Sequence, residues 1–235
     1  DHVITDRVAF LEVIARAAPI ARERIVTFAI TPDRPETGYG YIKAGAELAP
    51  GVYAIGSFRE KPNLATAAAF LAEGGYAWNA GMFLFDPEVM LAEFDHAPAV
   101  RDGALKALAG AERRDGAIFP EAAAFERIPS LPLDIAVMEK TSRGAMAPCA
   151  IGWADVGSWG EIWRLGDHDG AGNAIHGAAA VLDGANNLVR GDGVKVCVAG
   201  VDDLIVVATP EGVIVLPRAR AQDVKLLKEL AGKLA

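Results

Sequence analysis

No apolar run in this 235-residue chain approaches the roughly 18 residues that a membrane-crossing helix needs. Stretches such as Leu204 to Ala208 are far shorter, and no basic-then-apolar leader opens the chain. The expectation is a soluble, cytoplasmic protein with no membrane partner. Cysteine is scarce: Cys149 and Cys197 stand in separate apolar runs and are expected as buried thiols, without disulfide or metal chemistry. Positive charge is also short. The 31 acidic residues outnumber the 23 basic ones, the formal net charge is -8, and no Lys/Arg block occurs, so a phosphate-tracking surface for nucleic acid is excluded. A small anionic substrate in a local basic pocket stays open. The four histidines show no metal-ligand spacing, and no Gly-x-Ser-x-Gly elbow, His-Glu-x-x-His motif or phosphate loop is present. Serine hydrolases, zinc proteases and P-loop kinases are thereby set aside.

What the chain does have is apolar mass. A hydrophobic content of 52% with a mean hydropathy of +0.23 is enough for one sizeable domain, or a main domain with a small appendage. Thr5 or Asp6 can cap a helix carrying Val8, Leu11, Val13, Ile14 and Ala17, and Arg24 to Ile30 follows as a core strand. Tyr41-Ile42 leads into a strand paired with Val52 to Phe58; a helix then starts at Asn63 and stops at Gly74-Gly75, ahead of a strand at Tyr76 to Phe85. The alanine-rich segment from Ala97 to Glu126 reads as a helical insertion broken by glycines, Leu133 to Met138 as a short helix, and Ala145 to Gly152 as a strand. After Gly166 the texture changes to short β-rich runs punctuated by glycine, with no countable hexapeptide period, closed by an amphipathic helix carrying Val224, Leu227, Leu230 and Leu234. The boundary is placed so that residues 1–166 form the main domain and 167–235 a small second one.

Three segments concentrate chemistry: Phe58-Arg59-Glu60-Lys61-Pro62, Trp78-Asn79-Ala80-Gly81-Met82-Phe83, and Trp153-Ala154-Asp155-Val156-Gly157-Ser158-Trp159. A carboxylate accepts hydrogen bonds from sugar hydroxyls, and an ammonium meets a phosphate as a point charge, so Glu60 and Lys61 suit the two ends of a hexose 1-phosphate. Adjacent side chains on a strand diverge, however, and Pro62 supplies the interruption that a shared direction requires. The amide of Asn79 offers a donor and an acceptor, Gly81 and Gly40 let backbone approach a ligand, and Asp155 precedes a Val-Gly turn that leaves its carboxylate free. From the residues alone, Glu60-Lys61 reads equally as a surface ion pair, Asn79 as a turn residue, Gly40 as a hairpin glycine and Asp155 as a helix cap.

In their order and spacing, these segments resemble the sugar-phosphate half of the mannose-1-phosphate guanylyltransferases, within the nucleotide-sugar pyrophosphorylase family, and the likeness spans nearly the whole chain. Asp1-His2-Val3-Ile4 is similar to an Asp-His-aliphatic run that follows the nucleotide loop in that family, so the chain is expected to lack an N-terminal nucleotide-binding segment and, alone, to turn over weakly or not at all. The resemblance implies an α/β, Rossmann-like nucleotide-diphospho-sugar transferase domain followed by a β-helix-like domain. It implies GTP and mannose 1-phosphate as substrates and Mg²⁺ as cofactor, with Asp1 and Asp155 as metal ligands. Gly40, Glu60, Lys61, Asn79 and Gly81 become substrate-binding, and Lys61 and Asp155 catalytic. Met138-Glu139-Lys140-Thr141 also matches the family pattern, which gives Lys140 a phosphate-facing role. Arg59 and Ala80 depart from it, the first as a solvent-facing change and the second with loss of a hydroxyl contact. A homodimer is a further expectation. A pyrophosphorylase for another hexose 1-phosphate and a non-catalytic regulatory or assembly subunit are the alternatives.

Overall fold

The computed structural model describes residues 1–233. The chain forms two compact units, one of Ile4–Trp153 and the other of Asp1–Val3 with the chain from Ala154 onward. Strand β1 (His2–Ile4) precedes helix α1 (Arg7–Ala17), which is capped by Asp6 accepting the Ala9 N–H at 2.9 Å. Then come β2 (Ile25–Ile30), β3 (Gly40–Ala49), β4 (Val52–Arg59), α2 (Leu64–Glu73), β5 (Tyr76–Leu84), α3 (Pro87–Glu93) and α4 (Pro98–Ala109). A hairpin of β6 (Glu112–Arg114) and β7 (Ala117–Phe119) leads to α5 (Ala122–Phe125) and a π-helical turn (Asp134–Met138). The unit ends on β8 (Gly144–Pro148), before β9 (Trp153–Asp155), which pairs with β1.

Strands β2-β5-β3-β4-β8 close into a barrel in which β8 runs parallel to β2 and the other neighbours are antiparallel. The period of two along β2 divides its burial. Val26 and Phe28 pack with Val13 and Ala17 of α1, whereas Ile25 packs with Val89 and Met90 of α3 and with Val137 of the π-turn. Each such fully buried aliphatic contributes roughly 1.5–3 kcal/mol. Thr27 lies on the same face as Ile25, is wholly buried, and is the one polar residue of this otherwise apolar strand. The register between β2 and β5 shifts between Thr27↔Phe83 and Ala29↔Asn79, so β5 bulges around Ala80–Met82 and Gly81 takes a φ of +68°.

Two expectations are corrected inside this unit. The Ala97–Glu126 segment is not helical throughout, because Asp115 and Gly116 have φ of 51° and 76°, the pair of positive values that a two-residue hairpin turn requires, and β6 and β7 form around them. The strand expected over Ala145–Gly152 stops at Pro148, and Trp153–Asp155 forms a separate strand.

The other unit packs α6 (Trp159–Leu165) with β10 (Ala174–Leu182), β11 (Leu188–Ala199), β12 (Leu204–Thr209), β13 (Gly212–Pro217) and α7 (Val224–Ala231). Strands β10, β11 and β12 are parallel successive coils, and β13 closes them in antiparallel. Ala174 lies opposite Leu188 and Leu188 opposite Ile205, a column of fully buried residues. This is the expected β-helix-like architecture. Its register shifts between Gly177 and Ala179, so no fixed period shows in the sequence. Trp159, Ile162 and Trp163 of α6 pack on this core, which draws the compact unit back before residue 167 to Ala154. The last apolar position expected on the closing helix, Leu234, lies outside the described residues. Cys197 is exposed, contrary to expectation, because it falls on the outward positions of β11, while Cys149 is half-buried and its thiol is pushed up by burial.

Candidate functional site

The barrel unit gathers a polar group at the β5 bulge. Thr27 donates its hydroxyl to Asn79 Oδ1 at 2.5 Å, and the Gly81 N–H reaches the same oxygen at 3.2 Å. The Asn79 Nδ2 donates in turn to Asp134 Oδ1 at 2.9 Å. Asn79 is 7% exposed, so its amide is oriented on three sides by the protein before any ligand arrives. Asp134, which the sequence reading passed over, reaches the site as the first residue of the π-turn. A signal existed in Pro132-Leu133-Asp134, but an acid opening a helix reads first as a cap.

Gly40 begins β3 beside Asn79, its register partner in β5. A Cβ at Gly40 would lie 2.7 Å from Glu60 Oε2, 3.4 Å from the Asn79 Cβ and 3.5 Å from the Phe58 ring, so the Glu60 carboxylate rests against bare backbone. Above Gly81, by contrast, a Cβ would meet nothing within 4 Å, and the residue is exposed. Backbone is thus open to a ligand at Gly81.

Lys61, two residues past the end of β4, has a φ of 40°, in the left-handed region. That turn brings its ammonium back to 3.4 Å from Glu60 Oε1, where an uninterrupted strand would point the two side chains apart. The lysine side chain is 62% exposed and the glutamate 11%, so a largely covered acid is paired with a cation facing solvent. Burial pushes the Glu60 carboxyl above the ordinary carboxylate range, Asp134 and Glu139 add to the rise, and Lys61 opposes it. The Glu60 N–H donates to Glu139 Oε1 at 3.0 Å. Lys140 turns elsewhere: its ammonium donates to the His96 carbonyl at 3.4 Å. Tyr39 packs edge-on to Trp78 and Trp153, each at 5.2 Å, and Arg59 is solvent-facing as expected.

Asp1 and Asp155 belong to the other unit. The Val156 N–H donates to the Asp1 carbonyl at 2.7 Å, which fixes the start of β1 beside the end of β9 and sets both carboxylates on neighbouring backbone. Asp155 is half-buried and Asp1 exposed. Ser158, not Asp155, caps α6, accepting the Glu161 N–H at 3.3 Å, so the cap reading of Asp155 falls away. Among the described residues no group of three or more His, Cys, Asp or Glu is arranged around a metal position. Two carboxylates nevertheless fit Mg²⁺, which takes one or two from protein and completes its oxygen shell with phosphate and water. Past Asp155 lies a cleft of about 550 Å³ lined by Gly157, Trp159, Lys225 and Lys228.

The nucleotidyl transferase family model matches residues 1–171, and a model of the MannoseP isomerase/GMP-like beta-helix domain matches residues 177–230. The alginate biosynthesis protein AlgA of Pseudomonas aeruginosa is 43% identical over 235 residues, covering 98% of this chain and 49% of that protein. The mannose-1-phosphate guanylyltransferase of Escherichia coli K12 is 39% identical over 236 residues, covering 97% and 49%. The chain therefore spans about half the length of these relatives. A crystal structure from Thermus thermophilus, described as a mannose-1-phosphate geranyltransferase, superposes with a TM-score of 0.82 at 31% identity, covering 98% of this chain and 68% of that one.

Proposed function

This chain belongs to the nucleotidyl transferase family, and from that premise we propose that it provides the sugar-phosphate pocket of an enzyme that makes GDP-mannose and pyrophosphate from GTP and mannose 1-phosphate. The observation that carries this reading is the Glu60-Lys61 pair, a largely covered carboxylate seated on Gly40 and an exposed ammonium 3.4 Å away. Glu60 accepts hydrogen bonds from sugar hydroxyls, and Lys61 neutralises the sugar's phosphate. Gly40 and Gly81 let backbone approach the ligand, and Asn79, with its amide oriented, presents its remaining N–H and keeps Asp134 in place.

The attacking phosphate oxygen is already ionised, so the transfer to the α-phosphorus of GTP needs no general base. The chain's work is alignment and charge neutralisation. Asp1 and Asp155 would hold Mg²⁺, which would supply positive charge against the phosphates. Lys61 adds a second positive group on the sugar phosphate. A soluble, cytoplasmic setting and a homodimer belong to the same proposal.

The test is calorimetric titration of the chain with mannose 1-phosphate, glucose 1-phosphate and free mannose, repeated with Glu60→Gln. Saturable binding of mannose 1-phosphate that weakens at least about tenfold in the variant is expected. Equal binding in the variant would remove the pocket, and a preference for glucose 1-phosphate would move the assignment to another hexose.

A further inference from the structure

At the end of the barrel where β2 and β8 begin, three arginines surround one cleft. Arg22, Arg24 and Arg143 line it with Glu23 and Val89 around a volume of about 420 Å³, a size that takes small ligands. Their convergence is set by backbone. Arg22 ends the 3-10 turn Ile20–Arg22 and Arg24 immediately precedes β2, while Arg143 immediately precedes β8. The Ile25 N–H donates to the Arg143 carbonyl at 3.1 Å, and the parallel register continues with Ile25 opposite Gly144.

Two of the guanidinia are also held by side-chain contacts. Arg143 Nε lies 3.4 Å from Glu93 Oε1, a carboxylate on a residue only 8% exposed, and Arg24 Nη1 donates to the Ser142 carbonyl at 3.3 Å. Arg22 makes no ion pair among the described residues. The four ionisable groups lining the cleft carry a formal charge of +2, or +1 with Glu93, the partner of Arg143, counted, in a chain whose net charge is -8. Clustering cations where acids are the commoner residue leaves mutual repulsion that a bound anion would relieve. Guanidinium, planar and with paired donors, matches the oxygens of a phosphate in particular.

We infer that this cleft binds a small phosphorylated anion, at a site separate from the Glu60-Lys61 pocket. The separation follows from β2 itself. The cleft sits at Ile25, whereas Asn79 pairs with Ala29, and four residues of strand span about 13 Å. The backbone from Arg143 back to Glu139, which accepts the Glu60 N–H, gives the second site a short covalent link to the first.

The experiment is a titration of the chain with inorganic pyrophosphate, and separately with inorganic phosphate, without divalent metal. Calorimetry gives the affinity, and arginine side-chain NMR signals give the location. Saturable binding that moves the Arg22 and Arg24 signals is expected, weakened at least about tenfold by Arg22→Ser or Arg24→Ser. Arg22 is exposed, so its replacement leaves the fold intact, which circular dichroism verifies. The inference is overturned if neither anion binds, if the arginine variants bind as the parent does, or if Lys61→Ser alone abolishes binding.

Discussion

Glu60 holds its Oε2 at 2.7 Å from the point where a side chain on Gly40 would begin. The contact is tighter than two non-bonded heavy atoms accept, so the glycine is required by space, since its φ is not positive. Gly40→Ala should therefore act through the carboxylate. The obstructing atom is the far end of a flexible side chain, and Glu60 can swing aside at a stability cost of about 1–2 kcal/mol. Mannose 1-phosphate affinity should fall about tenfold or more, because the displaced acid no longer meets the sugar. Parallel urea denaturation and calorimetry check both numbers; intact affinity would show that Glu60 does not read the sugar.

The Glu60 carboxyl also makes a pH prediction. Burial first, and Asp134 second, raise its folded-state pKa above the ordinary value of 4.5. For an acid raised in the folded state, the unfolded chain releases the proton more readily, so this group's contribution to stability is present below the unfolded value and is lost as pH rises through the folded one. Glu60→Gln should accordingly melt at a higher temperature than the parent near neutral pH, with the difference shrinking toward pH 4. Melting curves across that range decide it. A lower melting temperature for the variant at neutral pH would mean that Lys61 outweighs desolvation.

Thr27→Val tests the anchor beneath the site. Valine keeps the shape but removes the donor to Asn79 Oδ1, in a position with no exposure. Leaving that buried acceptor with only the longer Gly81 bond should cost about 1–3 kcal/mol in denaturant unfolding. Sugar-phosphate affinity should drop as well, since the freed amide no longer fixes Asp134. A neutral result on both would place Asn79 outside the pocket's machinery.

How much of this was legible in the sequence differs by residue. The strand that ends just before Glu60, the strand carrying Asn79, the cap at Asn63 and the short β-rich runs after Gly166 follow from local pattern, because apolar alternation and punctuating glycines act over a few residues. The coiling of those runs was expected only from the family resemblance. Asp134 was not legible: it is 55 residues from Asn79 and meets it only through the closure of the barrel. The left-handed φ of Lys61 was half visible, since Pro62 announced an interruption without its hand. The β6-β7 hairpin was hidden by alanine content, although Asp115-Gly116 carried its turn. The exposure of Cys197 has no local signal, because hydrophobic neighbours indicate a strand and not which of its faces is covered.

Asp155→Asn addresses the metal assignment. The substitution removes one charge while keeping the shape, and the Val156 N–H to Asp1 carbonyl bond of 2.7 Å that aligns β1 with β9 is untouched. The fold should survive, by circular dichroism, while affinity for Mn²⁺ as a spectroscopic stand-in for Mg²⁺ falls at least about tenfold by paramagnetic relaxation. On the proposed function, metal-dependent turnover of GTP and mannose 1-phosphate should disappear with it. Unchanged Mn²⁺ binding would assign the ion to other oxygens.

The β-helix unit is held by amides as well as by its apolar column, and Asn187 is the sharpest test. Wholly buried, it donates from its backbone and from Nδ2 to Asn173 Oδ1 at 3.0 and 3.1 Å, donates again to the Val201 carbonyl at 2.8 Å, and accepts the Leu204 N–H at 2.9 Å. One side chain thus ties three successive coils. Leucine there is similar in size but strands the Val201 carbonyl and the Leu204 N–H, each of which costs about 1–3 kcal/mol when left unpaired in the interior. Asn187→Leu should therefore destabilise this unit by several kcal/mol, visible as an early loss of amide protection in β11 and β12 under hydrogen exchange. The barrel strands β2 and β5, whose hydrogen bonds the substitution does not touch, should retain theirs; protection lost equally in both sets would show that the amide ladder governs the whole chain and not its own unit.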